Sequence, residues 1–159
     1  MGLIAAVLFC SVFSSCTKTE GSVDSKKIVG DWKLVNVIYK TYLDGEIQDD
    51  YEDDCSTWYF IFNFKADGTG MRTSINENSG ENIQYPITSW KIVGSKIEMW
   101  EVEDGVKRFV QMDIEELSDD TLIFSGAPEQ KTENGILKHY VKYTYKRIWQ
   151  IADTSTEHP

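Results

Sequence analysis

Between residues 57 and 64 large aromatics alternate with other side chains: Trp58, Phe60, Phe62 and Phe64 interleave with Tyr59, Ile61 and Asn63. A period of two places those four rings on one side of a β-strand. At about 150–250 Å² per ring and about 25 cal/mol/Å², that side carries on the order of 15–25 kcal/mol of burial as an upper bound, so it must face a core. A slip of one residue would turn Asn63 and Lys65 inward, which ties the strand to one register.

Short turns extend this pattern along the chain. Asp67-Gly68 is a strong hairpin signal, and read as a two-residue loop it sets Phe64 opposite Met71, Phe62 opposite Thr73 and Phe60 opposite Ile75. Gly94-Ser95 sets Ile92 opposite Ile97 and Trp90 opposite Met99, with Lys91 facing Glu98 on the other side. Asp104-Gly105 sets Met99 opposite Val110, Ile97 opposite Met112, Glu101 opposite Arg108 and Lys96 opposite Asp113. The three turns agree on which side is the interior.

The remaining segments complete the set. Ser25 is positioned to cap a short helical turn through Val29, which Gly30 ends, and a strand runs from Asp31 to about Lys40. Residues 41–56 read as an acidic, solvated loop; counted from Asp49 it has Asp54 and Phe60 where a calcium loop needs Gly and Glu. Strands follow at 83–93, 106–117 and 121–125, the last with Leu122 and Phe124 inward, then a loop at 126–135 and a final strand at 137–148. In that final strand Val141, Tyr143, Tyr145 and Arg147 share one side. The fold class expected is all-β: an eight-stranded antiparallel up-and-down β-barrel with a short N-terminal helical turn. Such a barrel either fills with its own side chains or holds one small ligand.

The N-terminus points to export. Residues 3–13 are mostly apolar and too short to span a bilayer, and Ser14 and Ser15 lead into Cys16. The run Phe13-Ser14-Ser15-Cys16 resembles bacterial lipoprotein signals, which implies a signal peptide at 1–15 and a lipid on Cys16. No Lys or Arg precedes Leu3, so the expectation is a start upstream of Met1. Residues 16–25 would then be a flexible tether, 26–149 the barrel domain and 150–159 a disordered tail. The net charge is −10, and none of it lies in the first fifteen residues. That balance argues against nucleic acid and against lying flat on anionic lipid. Of the three cysteines, Cys10 leaves with the signal and Cys16 is acylated, so Cys55 is either free or bonded between molecules.

Gly30-Asp31-Trp32 at the entry to the first strand resembles the G-x-W signature of lipocalins, and Arg147 resembles the arginine that packs across that tryptophan. From the lipobox through Phe64-Lys65-Ala66-Asp67-Gly68-Thr69-Gly70 to Tyr145-Lys146-Arg147, the chain resembles the lipocalin-like lipoproteins of Bacteroidetes. The resemblance covers roughly 26–148 and implies a calycin-type barrel closed at one end by Trp32 and Arg147. It departs from the classical members in lacking their T-D-Y type second motif.

Little in the sequence supports catalysis. With only His139 and His158, a multi-histidine zinc site is nearly excluded, and no nucleophile elbow or phosphate loop appears. We expect no enzyme, no metal and no cofactor. Two binding readings follow. In the first, the end of the barrel away from Trp32 is open, and Trp58, Phe60, Phe62, Trp90, Met99, Tyr143 and Tyr145 line a pocket for a small hydrophobic ligand. In the second, those residues fill the interior, and the outward pair Trp100 and Phe109 docks a protein partner. The expected location is the cell envelope, the chain being lipid-anchored to the outer membrane on its periplasmic face or at the cell surface.

Overall fold

The computed structural model describes residues 23–75 and 79–149. The expected signal, Cys16, most of the tether, residues 76–78 of the polar connection and the tail lie outside these residues. The described chain opens with a 3₁₀ turn at Ser25–Ile28 and continues in strands: β1 (Gly30–Leu43), β2 (Glu46–Asp54), β3 (Phe60–Phe64), β4 (Gly70–Ile75), β5 (Asn82–Val93), β6 (Lys96–Glu103), β7 (Val106–Leu117), β8 (Thr121–Gly126), β9 (Glu129–Thr132) and β10 (Gly135–Ile148). Neighbours in the order β1-β3-β4-β5-β6-β7-β8-β10 pair antiparallel, and β1 pairs with β10 along its whole length, from Asp31↔Ile148 to Leu43↔Leu137. That last pairing closes an eight-stranded barrel and leaves the ring without an edge.

β2 and β9 are the departures from the expected layout. Each falls in a stretch read as loop, and each lengthens the wall rather than the ring. The first four residues of β1 pair with β3, and from Asn36 onward the same edge pairs with β2. β10 likewise pairs with β8 over Val141–Lys146 and with β9 over Gly135–Lys138. The two fourteen-residue strands therefore rise past the barrel as a ribbon, widened to a four-stranded wall in the order β2-β1-β10-β9.

The acidic segment forms a strand despite the poor β-propensity of Asp and Glu because its hydrogen bonds and cross-strand pairs are local. Asp44 and Gly45 both have positive φ, the geometry of a type I′ turn, and they fold β2 back onto β1. Lys40 then meets Asp50 at 2.8 Å, and the Tyr39 and Tyr51 rings pack 5.3 Å apart. A bulge at Val35 marks where the edge of β1 changes partner from β3 to β2, and it lets Leu34 and Val37, three residues apart, both face inward.

The two hairpins after Val93 and Glu103 have the expected registers, including the 2.5 Å Lys96–Asp113 and 2.9 Å Lys91–Glu98 ion pairs. The hairpin at Asp67-Gly68 does not. Lys65 donates its backbone N–H to the Thr69 carbonyl, and Gly68, with φ +82°, donates to the Lys65 carbonyl. The loop has three residues, a type I turn followed by a left-handed glycine, rather than two. Phe64 therefore faces Gly70, Phe62 faces Arg72 and Phe60 faces Ser74. One added loop residue flips the whole of β4: Arg72 enters the barrel, and Ile75, expected inside, is 40 % exposed.

The aromatic strand is also shorter than its alternation implies. Phe62 and Phe64 are buried and Phe60 half-buried, but Trp58 precedes β3 in a turn closed by its N–H to the Cys55 carbonyl and is 49 % exposed. Asp24, not Ser25, caps the 3₁₀ turn, accepting the Lys26 N–H at 3.0 Å, and Val23 already packs on the core. Cys55 is fully buried, which removes the option of a bond between molecules. Burial, followed by the charges of Asp53 and Asp54, pushes its thiol pKa up.

Candidate functional site

Trp32 and Arg147 close one end of the barrel. Trp32 is fully buried at the start of β1, and its indole N–H donates to the Ile28 carbonyl at 2.7 Å, which ties the 3₁₀ turn beneath the ring. The Arg147 guanidinium lies 4.2 Å from the Trp32 ring centre. It donates from Nη1 to Val29 O at 2.7 Å, from Nε to Asp119 O at 2.6 Å, and from Nη2 to Lys27 O. One cation thereby stacks on the ring and satisfies carbonyls from two separate loops. Gly30, at φ +135°, is required beside it, since a Cβ there would run into the Arg147 guanidinium.

Above this floor the aromatics pack against one another. Phe62 stacks on Phe64 at 5.3 Å and meets Tyr145 at 5.5 Å, and Phe124 lies 5.7 Å from Tyr145. The lower half of the barrel is therefore solid. Trp90 belongs to this half: it packs edge-on against Phe64, and its indole N–H donates to the Thr69 carbonyl at 2.9 Å. It does not line the pocket in which the sequence placed it.

The upper half is a cup of about 400 Å³, within the range of about 300–1,000 Å³ usual for small-molecule sites. Of the seven residues expected to line a pocket, six do so: Trp58, Phe60, Phe62, Met99, Tyr143 and Tyr145. Tyr145, and less strongly Tyr143, have phenols whose pKa is raised mainly by burial, so both are neutral hydroxyls at ordinary pH.

Sequence reading missed the polar centre of the cup. Arg72 Nε lies 3.3 and 3.2 Å from the two carboxylate oxygens of Glu101, and Nη2 lies 3.2 Å from Oε2. The Arg72 side chain is 16 % exposed and that of Glu101 is 9 %. The guanidinium also sits 3.9 Å from the Tyr85 ring centre and 5.7 Å from that of Phe60. The pair is out of reach of a two-residue reading of Asp67-Gly68, because that register points Arg72 to solvent. The available signal was Gly70, whose Cβ would collide with the Asn63 carbonyl, so that only glycine fits opposite the Phe64 ring. Tyr51 and Asp53 reach the mouth of the cup from β2, the strand that was read as a loop.

The outer pair is present as the register requires. Trp100 and Phe109 lie 5.1 Å apart, are 40 % and 49 % exposed, and carry the Lys107 ammonium 5.0 Å from the indole ring.

A family model described as a lipocalin-like domain matches residues 28–124, from the floor turn through β8. No curated protein matches the chain.

Proposed function

The chain belongs to the lipocalin-like family, and on that basis we propose that it is a non-catalytic envelope lipoprotein whose barrel holds one small, mostly apolar molecule in the open cup. The observation that carries this reading is the division of the interior. Bulky side chains fill the half next to Trp32, while the half beneath the β1–β10 wall keeps about 400 Å³ free and lined by Trp58, Phe60, Met99, Val110 and Tyr143. A barrel serving only as a rigid support gains nothing from that volume, since unfilled space forfeits dispersion contacts.

The anchoring part of the proposal rests on Phe13-Ser14-Ser15-Cys16. Two or three acyl chains on Cys16 would hold the protein stably on the outer membrane, where one would be marginal. Replacing Cys16 with Ser should move the protein from the membrane to the soluble fraction, and continued membrane association would refute the anchor.

The pocket is tested separately. Protein purified from its host, stripped of its acyl chains and examined by native mass spectrometry should carry a non-covalent small molecule that denaturation releases. A clean apo mass, with no apolar dye displacing anything from the cup, would overturn the cargo reading.

A further inference from the structure

We infer that the cup takes an organic cation, an amine or quaternary ammonium with an apolar body, rather than a fatty carboxylate. The inference rests on the cup being a ligand site at all. Its ground is the count and the engagement of the charges that line it. Among the described residues Arg72 is the only cation on the lining, and its Nε and Nη2 already face Glu101, while the Tyr85 and Phe60 rings flank the guanidinium. Displacing Glu101 would leave that carboxylate buried without a partner, and a ligand carboxylate meeting the guanidinium elsewhere would enter a lining that already carries two carboxylates against one cation.

The second carboxylate on the lining has no such partner. Asp53 forms no ion pair with any lysine or arginine among the described residues, whereas its neighbours Glu52 and Asp50 are tied back to β1 through Asn36 and Lys40. Two carboxylates against one guanidinium leave the lining with excess negative charge. The turn closed by Trp58 N–H on the Cys55 carbonyl brings Trp58 back to the lining that Asp53 shares, and Trp58 is half exposed there. Tyr51 and Tyr143 are also on the lining. An unpaired carboxylate beside several aromatic faces is the environment that binds an ammonium group through charge and ring quadrupole together. The acidic β2 strand along the wall and a net charge of −10 give the approach the same sign preference.

The test uses three probes with one tail: decyltrimethylammonium, decanol and decanoate. Each is titrated calorimetrically, below its micelle concentration, into the chain from residue 16 onward carrying Cys16→Ser. The ammonium should bind about tenfold tighter than the alcohol, and the carboxylate weaker than both. Asp53→Asn, a change at an exposed position, should bring the ammonium-to-alcohol ratio down towards one. Tightest binding by decanoate, equal binding of the three, or an unchanged ratio in Asp53→Asn overturns the charge assignment and leaves the cup standing as a site. Failure of all three to bind overturns the pocket reading and this inference with it.

Discussion

Glu101→Leu is the perturbation that most directly probes the interior. Among the described residues it removes the only carboxylate bonded to Arg72, and it leaves a guanidinium, 16 % exposed, inside a ring of aromatics. Breaking a buried pair from one side costs about 3–5 kcal/mol when the remaining charge has no access to water. Here the cup is open above the pair and the Tyr85 ring at 3.9 Å keeps part of the cation's stabilisation, so the lower end, about 3 kcal/mol, is expected. With a urea slope of about 2 kcal/mol/M, the unfolding midpoint falls by about 1.5 M. The double variant Arg72→Met/Glu101→Leu should recover most of that loss, because an apolar pair of similar volume has no charge to desolvate. The assay is a double-mutant cycle by urea unfolding followed through tryptophan fluorescence. A cost below about 1 kcal/mol for Glu101→Leu, or a double variant as unstable as the sum of its singles, would refute the reasoning that the pair is coupled and desolvated.

Other positions yield further expectations. Arg147→Lys keeps the charge but loses the planar donors that reach Val29, Asp119 and Lys27, and should lower stability by about 1–3 kcal/mol in a thermal melt. Gly30→Ala should be similarly destabilising, since it combines φ +135° with a collision against Arg147; a melt unchanged from wild type would contradict the account of the floor. The Cys55 thiol should be inert to a disulfide reagent in the native protein and react at the rate of unfolding. Asp120 has its pKa lowered, first by the Thr121 hydroxyl, then by Ser118 and Lys146. A depressed folded-state pKa gives a stabilisation that is full above the unfolded value of about 3.9 and is lost as pH falls through the folded one. Asp120→Asn should therefore lower stability slightly at neutral pH, where that contribution is full, and leave the most acidic part of the curve nearly unchanged, so that the acid limb is flattened. Replacing Trp100 and Phe109 with Ser should cost about 0.5–1.5 kcal/mol, the contribution of a cross-strand aromatic pair, as read by the same melts.

What the sequence determined by itself was the set of strands whose registers are written in local chemistry. Gly94-Ser95 and Asp104-Gly105 demand positive φ at known positions, and the apolar pairs flanking them agree, so the registers of β5 on β6 and of β6 on β7 were legible next to those turns. Trp32 and Arg147 were legible through a short motif, and the pairing of β1 with β10 sets the guanidinium over the ring. Three features were decided only by the tertiary structure. A two-residue and a three-residue loop at Asp67-Gly68 are nearly equivalent locally, and the choice depends on Gly70 fitting between Phe64 and the Asn63 carbonyl, an arrangement that exists only once β3 and β4 are paired. β2 is a strand because β1 supplies its hydrogen bonds, not because Asp and Glu favour one, although the Asp44-Gly45 turn was there to be read. The cup is the third: aromatic alternation establishes which side is interior but not how the rings share the volume, and packing sent Trp90 to the floor while the flipped β4 brought Arg72 to Glu101. Sequence periodicity is a statement about faces. Free volume and charge pairing are properties of the closed ring, where residues far apart in the chain must occupy the same space.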